Sequence, residues 1–172
     1  MADPREAIIE VPAALQEPFR SALDVATRGW AAELGDRLVS LVLFGSVARR
    51  QALATSDVDL VVVAEGLPRR LADRRRPLLA SWDQARRVHG LPPVEWNLVV
   101  KSPEEAQAHS PLYLDIVEDG VLLLDRQTFF ASVLDRMRAR MRALGSRRIH
   151  LDDGTWYWDL KPDFRFGEVV EI

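Results

Sequence analysis

The stretch LVSLVLFGSVARRQALATSDVDLVVV occupies residues 38–63 and decides the fold class. Residues 38–44 are apolar on both faces of an extended chain, as a strand in the middle of a sheet would be. A Gly-Ser pair ends that strand, residues 47–52 suit a short helix, and residues 57–63 predict a second strand. The order is therefore an apolar strand, a glycine break with a short helix, and a second apolar strand.

Two carboxylates stand at the start of the second strand. Because side chains alternate along a strand, Asp57 and Asp59 share one face, which continues with apolar valines. Like charges this close repel each other, and a divalent cation such as Mg²⁺, bound by carboxylates together with substrate phosphates, removes the repulsion. Gly45 permits a close backbone approach, and Ser46 with the following amides can hold anionic oxygens. The pattern predicts a metal-bridged nucleoside triphosphate; a solvated aspartate pair at a strand end is the alternative.

The remainder of the chain alternates helical and extended patterns. Helices are expected over residues 13–34, 69–89 (with a kink or break at Pro77), from Ser102, from Ser110 to near Gly120, and over 127–144, and strands over 94–101 and 121–124. Ser102-Pro103 supplies an N-cap and a proline at the first helical position. Arg74-Arg75-Arg76 is interpreted as a solvated helix face. The alternation predicts an α/β (α+β) fold, a small mixed β-sheet with helices packed on it.

The C-terminal part of the chain has a different pattern. Residues 147–151 and 156–160 flank Asp-Asp-Gly-Thr, which predicts a β-hairpin with Trp156 and Trp158 on one face. Large apolar residues continue to the end of the chain, so the tail is expected to fold back onto the domain. We expect a domain over residues 1–125 and a C-terminal helix and hairpin extension over residues 126–172.

Composition excludes several classes of protein. With 48% hydrophobic and 28% charged residues the chain is neither disordered nor collagen-like, and a net charge of −3 disfavours nucleic-acid binding. The absence of cysteine excludes a disulfide scaffold, a thiol nucleophile and cysteine-based metal sites. The apolar runs fall far short of the roughly 20 residues that span a membrane, and the amino terminus lacks a secretory signal pattern. A cytoplasmic protein is expected.

The motif Phe44-Gly-Ser-Val-Ala-Arg49, followed by the Ser-Asp-Val-Asp strand, resembles the signature of the DNA polymerase β-like nucleotidyltransferase superfamily. The likeness is greatest to its small prokaryotic members, the minimal nucleotidyltransferases, and implies the nucleotidyltransferase fold. It implies that Gly45 and Ser46 contact the triphosphate, and that Asp57 and Asp59 hold Mg²⁺ or Mn²⁺. Arg49 becomes a candidate phosphate contact, although a solvated helix arginine is the alternative.

The resemblance also implies a third carboxylate on the next core strand. In VEWNLVV, residues 94–100, the carboxylate is Glu95, which shares a face with Asn97. Glu95 would complete the metal site or act as general base on the acceptor hydroxyl, and Asn97 is a weaker second candidate. A surface glutamate at a strand start is the alternative, which would leave nucleotide binding intact and transfer in doubt.

The function that the resemblance implies is a Mg²⁺-dependent nucleotidyltransferase. It would move a nucleoside monophosphate, AMP from the substrate ATP, onto a hydroxyl acceptor such as a protein. The alternative is an antitoxin-like binding module that pairs with a small helical HEPN-type toxin, with little or no catalysis. The expected partners are a nucleoside triphosphate and a small helical protein; a homodimer stays open, and no membrane is expected.

Overall fold

The computed structural model describes residues 9–170 and builds them around a four-stranded mixed sheet. The strands are β1 (Leu38–Phe44), β2 (Val58–Ala64), β3 (Trp96–Lys101) and β4 (Val121–Asp125), in the order β3-β2-β1-β4. β1 is antiparallel to both of its neighbours, whereas β2 and β3 are parallel. The predicted α/β class and mixed sheet are confirmed, and β1 lies in the middle of the sheet as its two apolar faces indicate.

Helices cover both faces of the sheet. They are α1 (Phe19–Leu34), α2 (Gly45–Ala48), α3 (Leu71–Val88), α4 (Pro103–Gln107), α5 (Leu112–Asp119) and α6 (Phe129–Leu144), with 3-10 turns at Gly35–Arg37 and Arg126–Thr128. One core cluster joins α1 and α3 to alternate strand residues such as Leu60 and Val62. The other joins α5 and α6 to the opposite face, which includes Val61 and Val63. Val61 and Val63, which follow Asp59 on its own face of β2, are therefore buried beneath α5 and α6.

Prolines account for two differences from the predicted helices. α1 begins at Phe19 rather than at residue 13, because Pro18 takes the N-cap position and a proline disfavours helical backbone at the residue before it. α3 continues through Pro77 without a break. The burial of Leu78, directly after the proline, and of Trp82, about one turn further on, holds the helix against the core and offsets the lost backbone hydrogen bond.

The interpretation of three consecutive arginines as one solvated face is wrong for Arg74. Its side chain lies in a cleft and donates two hydrogen bonds to the carboxylate of Glu105, at 2.6 and 3.0 Å, and one to the carbonyl of Pro68. Glu105 is also the third residue of a capping box with Ser102 at the start of α4. This pair joins α3 to α4, and helix periodicity gave no sign of it.

The predicted C-terminal hairpin is confirmed. β5 (Arg147–His150) and β6 (Trp156–Asp159) pair antiparallel, and Trp158 and Leu160 pack against the α5–α6 cluster. Beyond Leu160 the expectation of a covered tail is wrong: Phe164 is half exposed and Phe166 fully exposed. Residues 161–170 form turns and irregular chain rather than a further strand, and neither ring belongs to the buried core clusters.

The C-terminal helix shares its core with the sheet. Phe130 and Val133 of α6 lie in the same cluster as Val42 of β1. The division into a domain over residues 1–125 and an extension over 126–172 stays a prediction. Residues 1–8 and 171–172 of those ranges lie outside the described part. Between residues 9 and 170 there is no helix both long and apolar enough to cross a membrane.

Candidate active site

The ends of three strands meet around Asp59. Phe44, the last residue of β1, pairs with Asp59, and Asn97 near the start of β3 pairs with it from the other side. The Nδ2 amide of Asn97 donates a hydrogen bond to Oδ1 of Asp59 at 2.8 Å. Asp57 lies exposed directly before β2, which begins one residue later than predicted. Both carboxylates are therefore at the same edge of the sheet, where β1 ends and β2 begins.

The backbone of Gly45 presses against the carboxylate of Asp59. Gly45 has a φ of +73°, and a Cβ built on it would lie 2.0 Å from Oδ2 of Asp59. Both the left-handed backbone and the missing side chain are needed at this position. The sequence predicts a close backbone approach at Gly45, and the group that approaches it in this structure is the aspartate.

The electrostatics of the pair favour a cation. Burial, the largest cause, and the charge of Asp57 raise the pKa of Asp59, while the hydrogen bond from Asn97 and the charge of Arg49 lower it by less. The negative charge of ionised Asp59 is thus only partly balanced by Asn97 and Arg49. Two neighbouring carboxylates supply the hard oxygen donors that a divalent cation such as Mg²⁺ or Mn²⁺ requires, so these residues fit the metal that the sequence predicts.

The predicted phosphate contacts lie on or directly after the short helix α2. Its N-cap, Phe44, makes no side-chain capping bond, so the first-turn amides have no side-chain acceptor at that position. Ser46 lies half-buried in this first turn, beside Gly45. Arg49 follows the last residue of α2, and its charge acts on Asp59. The structure therefore brings Gly45, Ser46 and Arg49 to the carboxylate pair.

Glu95 is placed differently from the two aspartates. It is exposed and precedes β3, and its carbonyl accepts a backbone hydrogen bond from Val58 at 2.8 Å. Within the described residues, no three His, Cys, Asp or Glu side chains are grouped closely enough to hold a metal ion. The side chain from β3 that touches Asp59 is Asn97, and a role for Glu95 stays a prediction.

A group of side chains beside α2, two of them from the C-terminal hairpin, was not predicted from the sequence. The ring of Trp156 in β6 lies against Arg49, whose Cζ is 4.6 Å from the ring centroid. Arg148 of β5 and Asp119 at the end of α5 complete the group, joined by a hydrogen bond of 2.8 Å. The alternation of the two tryptophans predicted a packed face, but not that it would pack beside the carboxylate site.

The chain belongs to the nucleotidyltransferase domain family, whose model matches residues 31–123, more than half of its length. A curated relative from Methanocaldococcus jannaschii, named "Putative protein adenylyltransferase MJ1305", is 32% identical over 108 residues. That match covers 62% of this chain and 71% of the relative. The part matched by the family model contains β1, α2, β2 and β3, and thus the carboxylate pair and the residues on and after α2, but not Arg148 or Trp156 of the hairpin.

Solved structures with partial likeness include two toxin–antitoxin complexes. A crystal structure of a toxin–antitoxin with AMP-PNP is 17% identical, with a TM-score of 0.46 over 70% of this chain and 90% of that one. A complex of a tri-AMPylated Shewanella oneidensis HEPN toxin with an MNT antitoxin is also 17% identical, with a TM-score of 0.42 over 72% and 92% of the two chains.

Proposed function

We propose that this chain is a metal-dependent adenylyltransferase that moves AMP from ATP onto a hydroxyl group of a protein and releases pyrophosphate. The observation that carries the proposal is the contact of the Gly45 backbone with Asp59, which fixes the start of the short helix α2 against a carboxylate pair. Membership of the nucleotidyltransferase domain family supports the reaction class. The name of the 32% identical relative supports adenylyl transfer and a protein acceptor.

Each residue of the site has a role in this proposal. Asp57 and Asp59 would hold a divalent cation, which when bound neutralises negative charge on the phosphates. Ser46 would donate its hydroxyl hydrogen bond to a phosphate oxygen, and Arg49 would pair with another. These contacts orient the α-phosphorus for attack by the acceptor oxygen, opposite the pyrophosphate that leaves.

The proton of the acceptor hydroxyl needs a base, and we assign it to Glu95. Glu95→Gln should keep ATP binding while transfer falls by roughly 10²–10⁴-fold, the usual contribution of a general base. If Glu95 is instead a metal ligand, metal affinity should fall as well. Steady-state transfer rates and calorimetric Mg²⁺ titrations separate the two roles.

A matched control for Glu95 is Glu65→Gln, at the opposite end of β2. Glu65 is also exposed and directly follows the strand, yet it lies away from the carboxylate pair. Glu65→Gln should leave transfer unchanged. A Glu95→Gln protein that transfers at the wild-type rate would remove Glu95 from the mechanism.

The proposed reaction is tested with two isotopic labels. The protein, Mg²⁺ and a lysate of the source organism are incubated with ATP labelled either at the α-phosphate or at the γ-phosphate. Adenylyl transfer puts the α-label, and not the γ-label, into a protein band that mass spectrometry can identify. Incorporation of the γ-label alone would show phosphoryl transfer and refute the proposal, as would the absence of any α-label.

The alternative of a binding module for a small helical HEPN-type toxin stays a prediction. A homodimer and a cytoplasmic location likewise remain expectations from the sequence.

A further inference from the structure

The side chain of Arg49 is held by three contacts. Its Cζ lies 4.6 Å from the ring centroid of Trp156, its Nε donates to Oε1 of Gln51 at 3.3 Å, and one terminal nitrogen is 3.9 Å from Asp119. The contact with Asp119 is longer than a hydrogen bond, and Asp119 already accepts one from Arg148 at 2.8 Å. Besides the hydrogen bond to Gln51, the guanidinium of Arg49 is therefore held by its contact with the ring of Trp156.

Contact with a ring leaves an arginine free to bind phosphate. A guanidinium stacked on a ring uses its flat face for the contact, and its N–H donors then point outward in the plane. Arg49 has five such donors, and its hydrogen bond to Gln51 uses one. The remaining edge can meet phosphate oxygens without breaking the contact with Trp156.

Trp156 is itself fixed from several sides. It pairs with His150 across the hairpin, and its Nε1 donates to Oδ1 of Asp115 at 3.0 Å. The guanidinium of Arg148 also lies over the ring of Trp156, with its Cζ 4.9 Å from the ring centroid. Burial would raise the pKa of Asp115, but hydrogen bonds from Trp158, Trp156 and Arg148 outweigh it and hold the pKa below its ordinary value. Asp115 thus stays an acceptor that anchors the ring.

We propose that Trp156 is a positioning residue that holds the guanidinium of Arg49 ready for the triphosphate, so that the C-terminal hairpin completes a nucleotide site lying otherwise within residues 31–123. This inference rests on the proposed function and adds a residue to it. An arginine side chain that is ordered before binding loses less conformational entropy when it meets its ligand. The hairpin therefore contributes to nucleotide affinity without touching the nucleotide.

The experiment compares the affinity of variants for the α,β-methylene analogue of ATP with Mg²⁺, measured by calorimetry. Trp156→Ala should weaken binding roughly three- to tenfold, the range expected for loss of a cation–π contact. Trp156→Phe keeps a ring face for Arg49 and should restore most of the affinity. Thermal midpoints show whether each variant is folded.

Trp158→Ala is the matched control. Trp158 lies on the same strand and its Nε1 donates to the same oxygen of Asp115, at 2.9 Å, but its cation–π partner is Arg148. It also packs against the α5–α6 cluster, so its loss should destabilise the hairpin at least as much. Trp158→Ala should nevertheless bind the analogue as the wild type does. If it weakens binding as strongly as Trp156→Ala, the hairpin has only a structural role and the proposal is overturned.

A double-mutant cycle with Arg49→Ala completes the test. If Trp156 acts through Arg49, adding Trp156→Ala to Arg49→Ala should cause no further loss of affinity. An equal loss in both backgrounds contradicts the positioning role while leaving the proposed function intact. A folded wild-type protein that binds neither the analogue nor ATP would instead refute the proposed function, and this inference with it.

Discussion

Replacing Asp59 by asparagine is expected to abolish adenylyl transfer while the fold is kept. Asparagine has the same shape, so the packing against Gly45 and the hydrogen bond from Asn97 can both persist. The substitution removes a charged oxygen ligand of the cation. Because the bound cation stabilises phosphate charge by several kcal/mol, transfer should fall by at least ~10³-fold. Initial rates with α-labelled ATP measure this, and Asp57→Asn should behave alike.

The same substitution should not destabilise the metal-free protein at neutral pH. Because burial and then the charge of Asp57 raise the pKa of Asp59, ionised Asp59 costs the folded state free energy above its folded pKa. Asp59→Asn removes that cost, so its thermal midpoint at pH 7 should equal or exceed that of the wild type. The difference should shrink as the pH falls through the folded pKa, because the wild-type carboxyl then becomes neutral.

A control for charge alone is Asp36→Asn, in the 3-10 turn before β1 at the far end of the sheet. This exposed aspartate should be replaceable without effect on transfer. Full metal-dependent activity in both Asp57→Asn and Asp59→Asn would contradict the catalytic role of the pair. A large fall in thermal midpoint at pH 7 would show instead that the pair stabilises the fold.

Gly45→Ala is expected to cost both stability and nucleotide binding. The new methyl group would lie 2.0 Å from Oδ2 and 2.8 Å from Cγ of Asp59, far inside contact distance, so α2 or the aspartate must move. The φ of +73° adds backbone strain of about 1–3 kcal/mol for any residue with a Cβ. We expect a clear loss of unfolding free energy in urea and loss of detectable binding of the α,β-methylene analogue.

Gly90→Ala separates the contact from the backbone strain. Gly90 has a similar φ of +64°, but a Cβ built there meets nothing within 4 Å. It should show the strain alone, with a smaller loss of stability and unchanged nucleotide binding. Equal effects of the two substitutions on stability and on binding would mean that the contact between Gly45 and Asp59 has no functional part.

Local periodicity was enough to find the core of this site. The two-residue repeat of a strand places Asp57 and Asp59 on one face, and the apolar residues that follow them indicate a buried sheet. The opposition of Asn97 and Asp59 is a matter of register between β2 and β3, so it depends on a pairing that the sequence does not state. The sequence therefore favours Glu95, the acidic residue just before β3, whereas the side chain that contacts Asp59 in the structure is that of Asn97.

Contacts between segments distant in sequence could not be predicted from local periodicity. Arg74 has the spacing of a surface helix residue, and only the packing of α3 beside α4 turns it into the partner of Glu105. Likewise, the ring of Trp156 reaches Arg49 from the far end of the chain, through a hairpin whose docking depends on Asp115. The periodicity of apolar side chains indicates which face of a helix or strand is buried. Tertiary packing determines which other element that face contacts.

Crystallography can show whether Asp57 and Asp59 hold the cation of a metal–triphosphate complex. Crystals grown with Mn²⁺ and the α,β-methylene analogue of ATP would be measured at the manganese absorption edge. We expect an anomalous difference peak between the carboxylates of Asp57 and Asp59, with the triphosphate against the first turn of α2. A bound analogue whose manganese peak lies away from both carboxylates would contradict it.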